Sequence, residues 1–215
     1  MIMLTKSVVT SIMEETHSSL LSNVSQITLS LIPPNLKSTL LIDGPNFQRT
    51  RKSLKMERDY LGIFEALRKI FNLHSIYYFI GLYEDVSTTP LVRELHWLSK
   101  MGVRVVTRSA TKHTSPTGEV FFKGNMDTHI CVTALTECQN VDNVILASGD
   151  KDFVVLLNAL KARGQRTTVL SSEHSDVDCL AHELRLCADT FIDLAWVKNL
   201  IQKKEEEINP RDYLN

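Results

Sequence analysis

The chain has 215 residues, a formal net charge of -1 and a hydrophobic fraction of 43%. This length fits one domain with extensions, and the near-neutral charge means that any contact with nucleic acid depends on a local basic patch. No apolar run is long enough to span a bilayer, and the first residues lack the order of a secretory signal peptide. The four cysteines form no Cys-x-x-Cys pair, which is typical of reduced thiols. We therefore expect a cytoplasmic protein that does not enter a membrane.

The first 37 residues differ in composition from the rest of the chain. They are rich in Ser and Thr and carry apolar residues at helical spacing, and Pro33 and Pro34 end that pattern. The pattern predicts an N-terminal helical extension over residues 1–37. Two interpretations stay open: a helix packed on the domain, or an arm that contacts a second copy of the chain or a partner protein.

A short apolar strand ending in a carboxylate is predicted over residues 38–43. Asp43 is its last residue, and the Gly-Pro-Asn sequence that follows predicts a turn ending at Asn46. Asn46 is interpreted in two ways: it contacts the substrate, or it stabilises this turn.

A basic loop is predicted over residues 48–58, directly after that turn. Glu57 is the one acid in this stretch, against five cations. A solvated loop explains this charge as well as a contact with a phosphate backbone does. The cations are Arg49, Arg51, Lys52, Lys55 and Arg58.

Helices and strands alternate through the middle of the chain. Apolar periodicity predicts helices starting at Tyr60 and Pro90, and strands over residues 76–82 and 103–107. The polar stretch 108–118 and the apolar residues after it predict a loop or a β-hairpin. A further helix is predicted to start at Asp127, which is interpreted as a cap or as a ligand.

The stretch 143–153 places two carboxylates where a strand ends and a helix begins. Residues 144–147 are uninterruptedly apolar, as in a strand buried on both faces of a parallel sheet. Asp150 and Asp152 follow at once. Two aspartates this close repel each other unless a hard cation such as Mg²⁺ or Mn²⁺ neutralises them. The alternative is that they only cap the helix and complement its dipole.

The C-terminal part continues the alternation. A strand is predicted over residues 167–170, a helix over 177–187, and a last strand over 190–194 that leads into a helix through Leu200. The charged tail, residues 203–215, is expected to fray. This order of elements predicts an α/β fold with a mainly parallel central sheet flanked by helices.

Four aspartates converge if the two acidic strands are parallel neighbours. Asp43 and Asp150 then leave the same edge of the sheet, and Asp127 and Asp152 join them from helix starts. A divalent cation relieves the repulsion of such a group, and metal-assisted phosphodiester hydrolysis is the matching chemistry. A phosphohydrolase for small compounds fits less well, because no Asp-x-Asp motif follows the first strand.

Three blocks in this order resemble the signature of the NYN domain family. They are Leu-Ile-Asp-Gly-Pro-Asn (41–46), Lys-Gly-Asn-Met-Asp (123–127) and Ala-Ser-Gly-Asp-Lys-Asp-Phe (147–153), and residues 186–194 are similar to the closing block. The resemblance covers residues 38–200. It implies a PIN-like Rossmannoid fold, Mg²⁺ or Mn²⁺ as cofactor, and ribonuclease activity on RNA. By position, it implies that Asp43, Asp127, Asp150 and Asp152 bind the metal and catalyse the reaction.

The resulting hypothesis is a metal-dependent ribonuclease domain over residues 38–202. The substrate contacts expected for it are Asn46, Arg49, Arg51, Lys52, Lys123 and Lys151. The alternative is a regulatory module that binds RNA or protein without cleavage. It is motivated by His129 and Thr133, which stand in the helix where members of the family often carry further acids.

Overall fold

The computed structural model describes residues 36–56, 60–82, 90–109, 111–114, 120–123, 125–175 and 179–207. The predicted N-terminal extension lies outside these residues, except for its last two positions. None of the described helices is both long and apolar enough to cross a membrane.

Eight strands occur in the described residues. They are β1 (Lys37–Asp43), β2 (Asn72–Leu82), β3 (Arg104–Ser109), β4 (Thr111–Thr114), β5 (Val120–Lys123), β6 (Asn143–Ala147), β7 (Arg166–Ser171) and β8 (Thr190–Asp193). Six of them form one sheet in the order β3-β2-β1-β6-β7-β8, and every neighbouring pair is parallel. The remaining two, β4 and β5, pair antiparallel. The predicted α/β fold with a mainly parallel sheet is therefore confirmed, as is the predicted hairpin.

Seven helices cover the two faces of this sheet. They are α1 (Gly44–Ser53), α2 (Tyr60–Ile70), α3 (Pro90–Lys100), α4 (Asp127–Thr136), α5 (Val154–Ala162), α6 (His182–Cys187) and α7 (Leu194–Glu207). Successive side chains of a strand point to opposite faces. Leu40 and Ile42 therefore pack on the core under α1, α2, α3 and α7, while Leu41 packs on the core under α4, α5 and α6. The side chains of Leu40, Leu41 and Ile42 are all fully buried, as expected for the centre of a parallel sheet.

The predicted turn and basic loop after β1 are wrong up to Ser53. Helix α1 begins at Gly44, directly after the strand, so the chain passes from strand to helix without a loop. Pro45 lies in the first turn of this helix, where a missing backbone N–H costs nothing. A side chain at Gly44 would lie 2.6 Å from the carbonyl oxygen of Phe79, so this tight strand-to-helix passage requires a glycine.

Two boundaries near the C-terminus also differ from the prediction. The helix expected over residues 177–187 begins only at His182, because Ala181 is extended and its N–H donates to the carbonyl of Gly149 (2.8 Å). Helix α7 continues to Glu207, so the first five residues of the tail predicted over 203–215 are helical. The other predicted elements agree with the structure within a few residues.

Candidate metal centre

The carboxyl ends of β1 and β6 place two of the predicted site residues, Asp43 and Asp150, at the same edge of the sheet. These strands are parallel neighbours, with Ile42 opposite Ala147, so Asp43 and Ser148 leave the sheet side by side. The Ser148 hydroxyl donates to Asp43 Oδ2 over 2.8 Å. Asp150 follows two residues later at the same edge. Ligands bind at this edge in open α/β sheets, because the loops there leave a crevice.

Three of the four predicted aspartates form a compact group, which we call the acidic cluster: Asp127, Asp150 and Asp152. One carboxylate oxygen from each lies within 4.8 Å of the others. Asp127 is the first residue of α4, while Asp150 precedes the 3-10 turn Lys151–Phe153 and accepts from the Asp152 N–H over 3.0 Å. Asp150 is thus a helix cap and a member of the cluster at once.

Burial and mutual repulsion act together on these carboxyls. Burial raises the pKa of Asp43, the Ser148 hydroxyl and the Asn46 backbone N–H oppose that rise, and the charges of Asp127 and Asp150 add to it. Burial likewise raises the pKa of Asp127, and the charges of Asp150 and Asp152 add to that rise. A cation would favour the charged forms. The donors are carboxylate oxygens, the ligand type that Mg²⁺ and Mn²⁺ prefer, so the residues fit such an ion.

Contacts with Asn46 and Cys179 hold Gly149, just after β6, in place. Asn46 Oδ1 accepts from the Gly149 N–H over 3.1 Å, which ties the start of α1 to the residue before Asp150. On the other side of Gly149, an added Cβ would lie 1.6 Å from the Cys179 carbonyl oxygen. Only a glycine fits there. The Asn46 side chain therefore fixes the segment after β6, and not the turn at residues 44–46 that it was predicted to stabilise, because those residues are helical. Its predicted contact with the substrate stays a prediction.

The predicted basic contacts divide into three groups. Arg49 and Lys52 are exposed on α1, and Lys151 is exposed between two members of the acidic cluster. Lys123 is the last residue of β5. Arg51 differs from these, because its side chain is only 3% exposed.

Arg51 belongs to a buried group that we call the aromatic cluster: Arg51, Tyr60, Tyr78 and Glu94. Its guanidinium carbon lies 3.5 Å from the Tyr60 ring centroid, and Nη2 lies 3.9 Å from the Glu94 carboxylate. The Tyr60 hydroxyl donates to Glu94 Oε1 over 2.8 Å and lies 3.1 Å from the Tyr78 hydroxyl. Burial raises the pKa of Tyr78 to about 12. A side chain buried in this way presents almost no surface to a substrate, so Arg51 is not among the substrate contacts proposed below.

Ser148 and Gly149 are site residues that the sequence analysis did not single out. Ser148 orients Asp43, and Gly149 permits the close approach of Cys179. The sequence shows only that both interrupt an apolar run. Their roles depend on the register between β1 and β6, which no local pattern specifies.

Comparisons with known proteins show what this chain is similar to. The low amplitude and bright protein LabA of Synechococcus elongatus is 29% identical over 142 residues, which cover 65% of this chain and 73% of LabA. A protein of unknown function from Vibrio parahaemolyticus has a similar fold, with a TM-score of 0.58 and 22% identity, covering 76% of this chain and 95% of that one. The model of the NYN domain matches residues 37–195. This match spans well over half of the sequence, and the chain belongs to the NYN domain family.

Proposed function

We propose that this protein is a metal-dependent ribonuclease that hydrolyses RNA phosphodiester bonds at Asp43, Asp127, Asp150 and Asp152. The observation that carries the proposal is the acidic cluster, whose three carboxylate oxygens lie within 4.8 Å of one another at the carboxyl edge of a parallel sheet. Like charges at this separation destabilise the protein unless a cation lies between them. The family of the chain supports the same assignment.

The four aspartates divide into two parts in the proposed reaction. Asp127, Asp150 and Asp152 would hold Mg²⁺ or Mn²⁺ through carboxylate oxygens. A bound ion would polarise the scissile phosphate and lower the pKa of water. Asp43 is held in place by Ser148, and its raised pKa suits a group that accepts a proton from the attacking water.

Four cations, three of them exposed, are proposed to guide the RNA backbone. Arg49 and Lys52 project from α1, whose first residue follows Asp43, and Lys151 lies next to Asp150 in sequence. Lys123 is four residues before Asp127 and completes the proposed set. Neutralising phosphates in this way releases counterions, so binding of RNA is expected to weaken steeply with salt.

The direct test is the variant Asp150→Asn. We expect it to reduce cleavage of single-stranded RNA in Mg²⁺ or Mn²⁺ by about 10²- to 10⁴-fold while the protein stays folded. The matched control is Asp142→Asn, which changes an exposed aspartate at the opposite end of β6 and should leave cleavage unchanged. Wild-type protein that leaves varied RNAs uncut with either ion would contradict the proposal.

The alternative is a module that binds RNA or a partner protein without cleaving. The observation that favours it is the small number of carboxylates at the site. Asp43 lies outside the group of three mutually close oxygens, and His129 and Thr133 add no acid to α4. Calorimetric titration separates the two functions. Binding of Mn²⁺ and RNA without any cleavage product would support the non-cleaving module.

A further inference from the structure

A second concave feature lies at the carboxyl ends of β7 and β8. It is a cavity of about 300 Å³, and its walls include Glu173, Cys179, His182 and Arg185. This volume is at the lower end of the range for pockets that hold small ligands. The walls are polar and carry both a cation and an anion, so the cavity is unlike the two apolar cores of the protein.

The cavity shares a wall with the acidic cluster. The Cys179 carbonyl packs directly on Gly149, and the Ala181 N–H donates to the Gly149 carbonyl over 2.8 Å. Gly149 is the residue before Asp150. A strand of RNA with a phosphate at the acidic cluster would therefore have a neighbouring nucleotide beside this cavity.

Arg185 forms a flat surface in the wall of the cavity. Its guanidinium carbon lies 5.1 Å from the Phe191 ring centroid, and its Nε lies 2.6 Å from Glu173 Oε1. The Arg185 side chain is 38% exposed, so Phe191 and Glu173 contact the planar guanidinium without enclosing it.

A nucleobase is the ligand that matches these walls. Unpaired bases in protein–RNA complexes stack on the planes of arginine side chains and form hydrogen bonds through their edges. Every base offers at least one N–H donor, and the Glu173 carboxylate beside Arg185 is an acceptor. A phosphate matches less well, because the same carboxylate repels it.

We infer that this cavity receives one unpaired nucleobase of an RNA strand, stacked on Arg185 and donating an N–H to Glu173. The inference rests on the proposed function for the identity of the strand, but it concerns recognition of a base and not cleavage. Glu173 and Arg185 are then residues that select the position of an unpaired nucleotide beside the cleaved bond, and not its type, because every base offers an N–H donor.

Binding of RNA strands that lack one base at a time tests this inference. A short single-stranded RNA with a fluorescent end is titrated with the protein in Ca²⁺, a cation that carboxylates bind, under conditions checked to give no cleavage product, and anisotropy reports the dissociation constant. Removing the base at one particular position should weaken binding about fivefold to hundredfold, whereas other positions should have smaller effects. Equal effects at all positions would overturn the inference.

The variants Arg185→Lys and Glu173→Gln link that position to the cavity. Lysine keeps the positive charge but loses the flat surface, so Arg185→Lys should weaken binding of the intact strand and leave binding of the strand without that base unchanged. If Arg185→Lys unfolds, Glu173→Gln is used for the same comparison between the intact strand and the strand without that base. The matched control is Arg163→Lys, an exposed arginine that does not line this cavity and should bind both strands as the wild type does.

The outcomes separate the cavity from the proposed nuclease. A protein that cleaves RNA but shows no position-specific loss retains the proposed function and contradicts the inference. Position-specific loss in a protein that never cleaves supports the inference and removes the nuclease. Displacement of the strand by equimolar nucleoside monophosphates would identify a site for free nucleotides instead, which overturns the assignment to a strand.

Discussion

The aromatic cluster and the acidic cluster differ in how their charges are balanced. In the aromatic cluster, the Arg51 guanidinium faces the Tyr60 ring and the Glu94 carboxylate, so its charge is compensated within the protein. In the acidic cluster, three carboxylates lie within 4.8 Å of one another, and none of them takes part in an ion pair among the described residues. Both groups are polar and partly or wholly buried, yet only the first is complete by itself.

The difference indicates which polar group is structural and which serves a ligand. Burying a charge is costly unless a partner compensates it, and a protein that retains an uncompensated group at a cleft usually compensates it with a ligand. Helix α1 carries a compensated cation and two solvated ones within four residues, because Arg51 is buried whereas Arg49 and Lys52 are exposed. The following predictions separate the two clusters by measuring stability and binding independently.

The largest effect on stability is expected from Arg51→Met. Arg51 itself is buried against the Tyr60 ring, whereas Glu94 is 35% exposed, so the loss is mainly that of the packed guanidinium. The free energy of unfolding should fall by up to about 3 kcal/mol. For a protein of this size, that fall lowers the thermal midpoint by about 6–12 °C. Protein that remains folded should bind RNA as the wild type does.

Arg49→Met is the matched control on the same helix. Its side chain is exposed, so the free energy of unfolding should change by no more than about 0.5 kcal/mol. RNA binding should weaken, and its dependence on the logarithm of salt concentration should become shallower by about one unit. If the two variants behave alike in both measurements, the comparison between the clusters fails.

The second largest expected effect is the stabilisation of the folded protein by a bound metal ion. A ligand that binds only the folded state at a hundred times its dissociation constant raises the free energy of unfolding by about 2.7 kcal/mol. Titration with Mn²⁺ should therefore raise the thermal midpoint of the wild type and of Arg49→Met, but not that of Asp150→Asn. Equal stabilisation of Asp150→Asn by Mn²⁺ would place the ion away from the acidic cluster.

The sequence predicted the convergence of the acidic residues because it depends on features that a sequence records. Buried apolar runs separated by helices favour parallel strands, and parallel strands place Asp43 and Asp150, which follow two such runs, at one edge. The tight start of α1 was missed because Gly-Pro-Asn is also typical of a turn. Once α1 is recognised, Phe47 and Arg51 fall four residues apart on one helix face, which is the signal that Arg51 is buried.

The hydrogen bond between Ser148 and Asp43 could not be predicted in the same way. It requires the register between β1 and β6, which are separated by more than a hundred residues in sequence. Any register that preserves alternation keeps the apolar residues on their faces, so the pattern alone allows several. The same argument applies to Gly149, whose contact with Cys179 depends on a connection between β7 and α6 that the sequence suggested to be helical.

The smallest effect is the dependence of stability on pH in the absence of metal. Burial raises the pKa of Asp43 above its ordinary value of 3.8. Between that value and the raised pKa, the folded protein holds a proton that the unfolded chain has released. The stabilising contribution of this group is therefore fully present below pH 3.8 and is lost as the pH rises through the raised pKa. At neutral pH without metal, the charged carboxylate lowers stability.

Asp43→Asn removes the titrating carboxyl, so comparing the variant with the wild type measures how much Asp43 contributes to the pH dependence of stability. In EDTA at neutral pH, we expect the variant to be more stable than the wild type by less than about 1 kcal/mol, since solvent screens a carboxylate that is not fully buried. The difference should shrink as the pH is lowered, because the wild-type carboxyl then becomes neutral as well. Thermal midpoints measured across this range, with Asp142→Asn as a reference for the substitution itself, provide the test. A difference in stability that stays constant with pH would show that the substitution acts through packing. The charge of Asp43 would then not contribute to the repulsion among the carboxylates at this edge of the sheet.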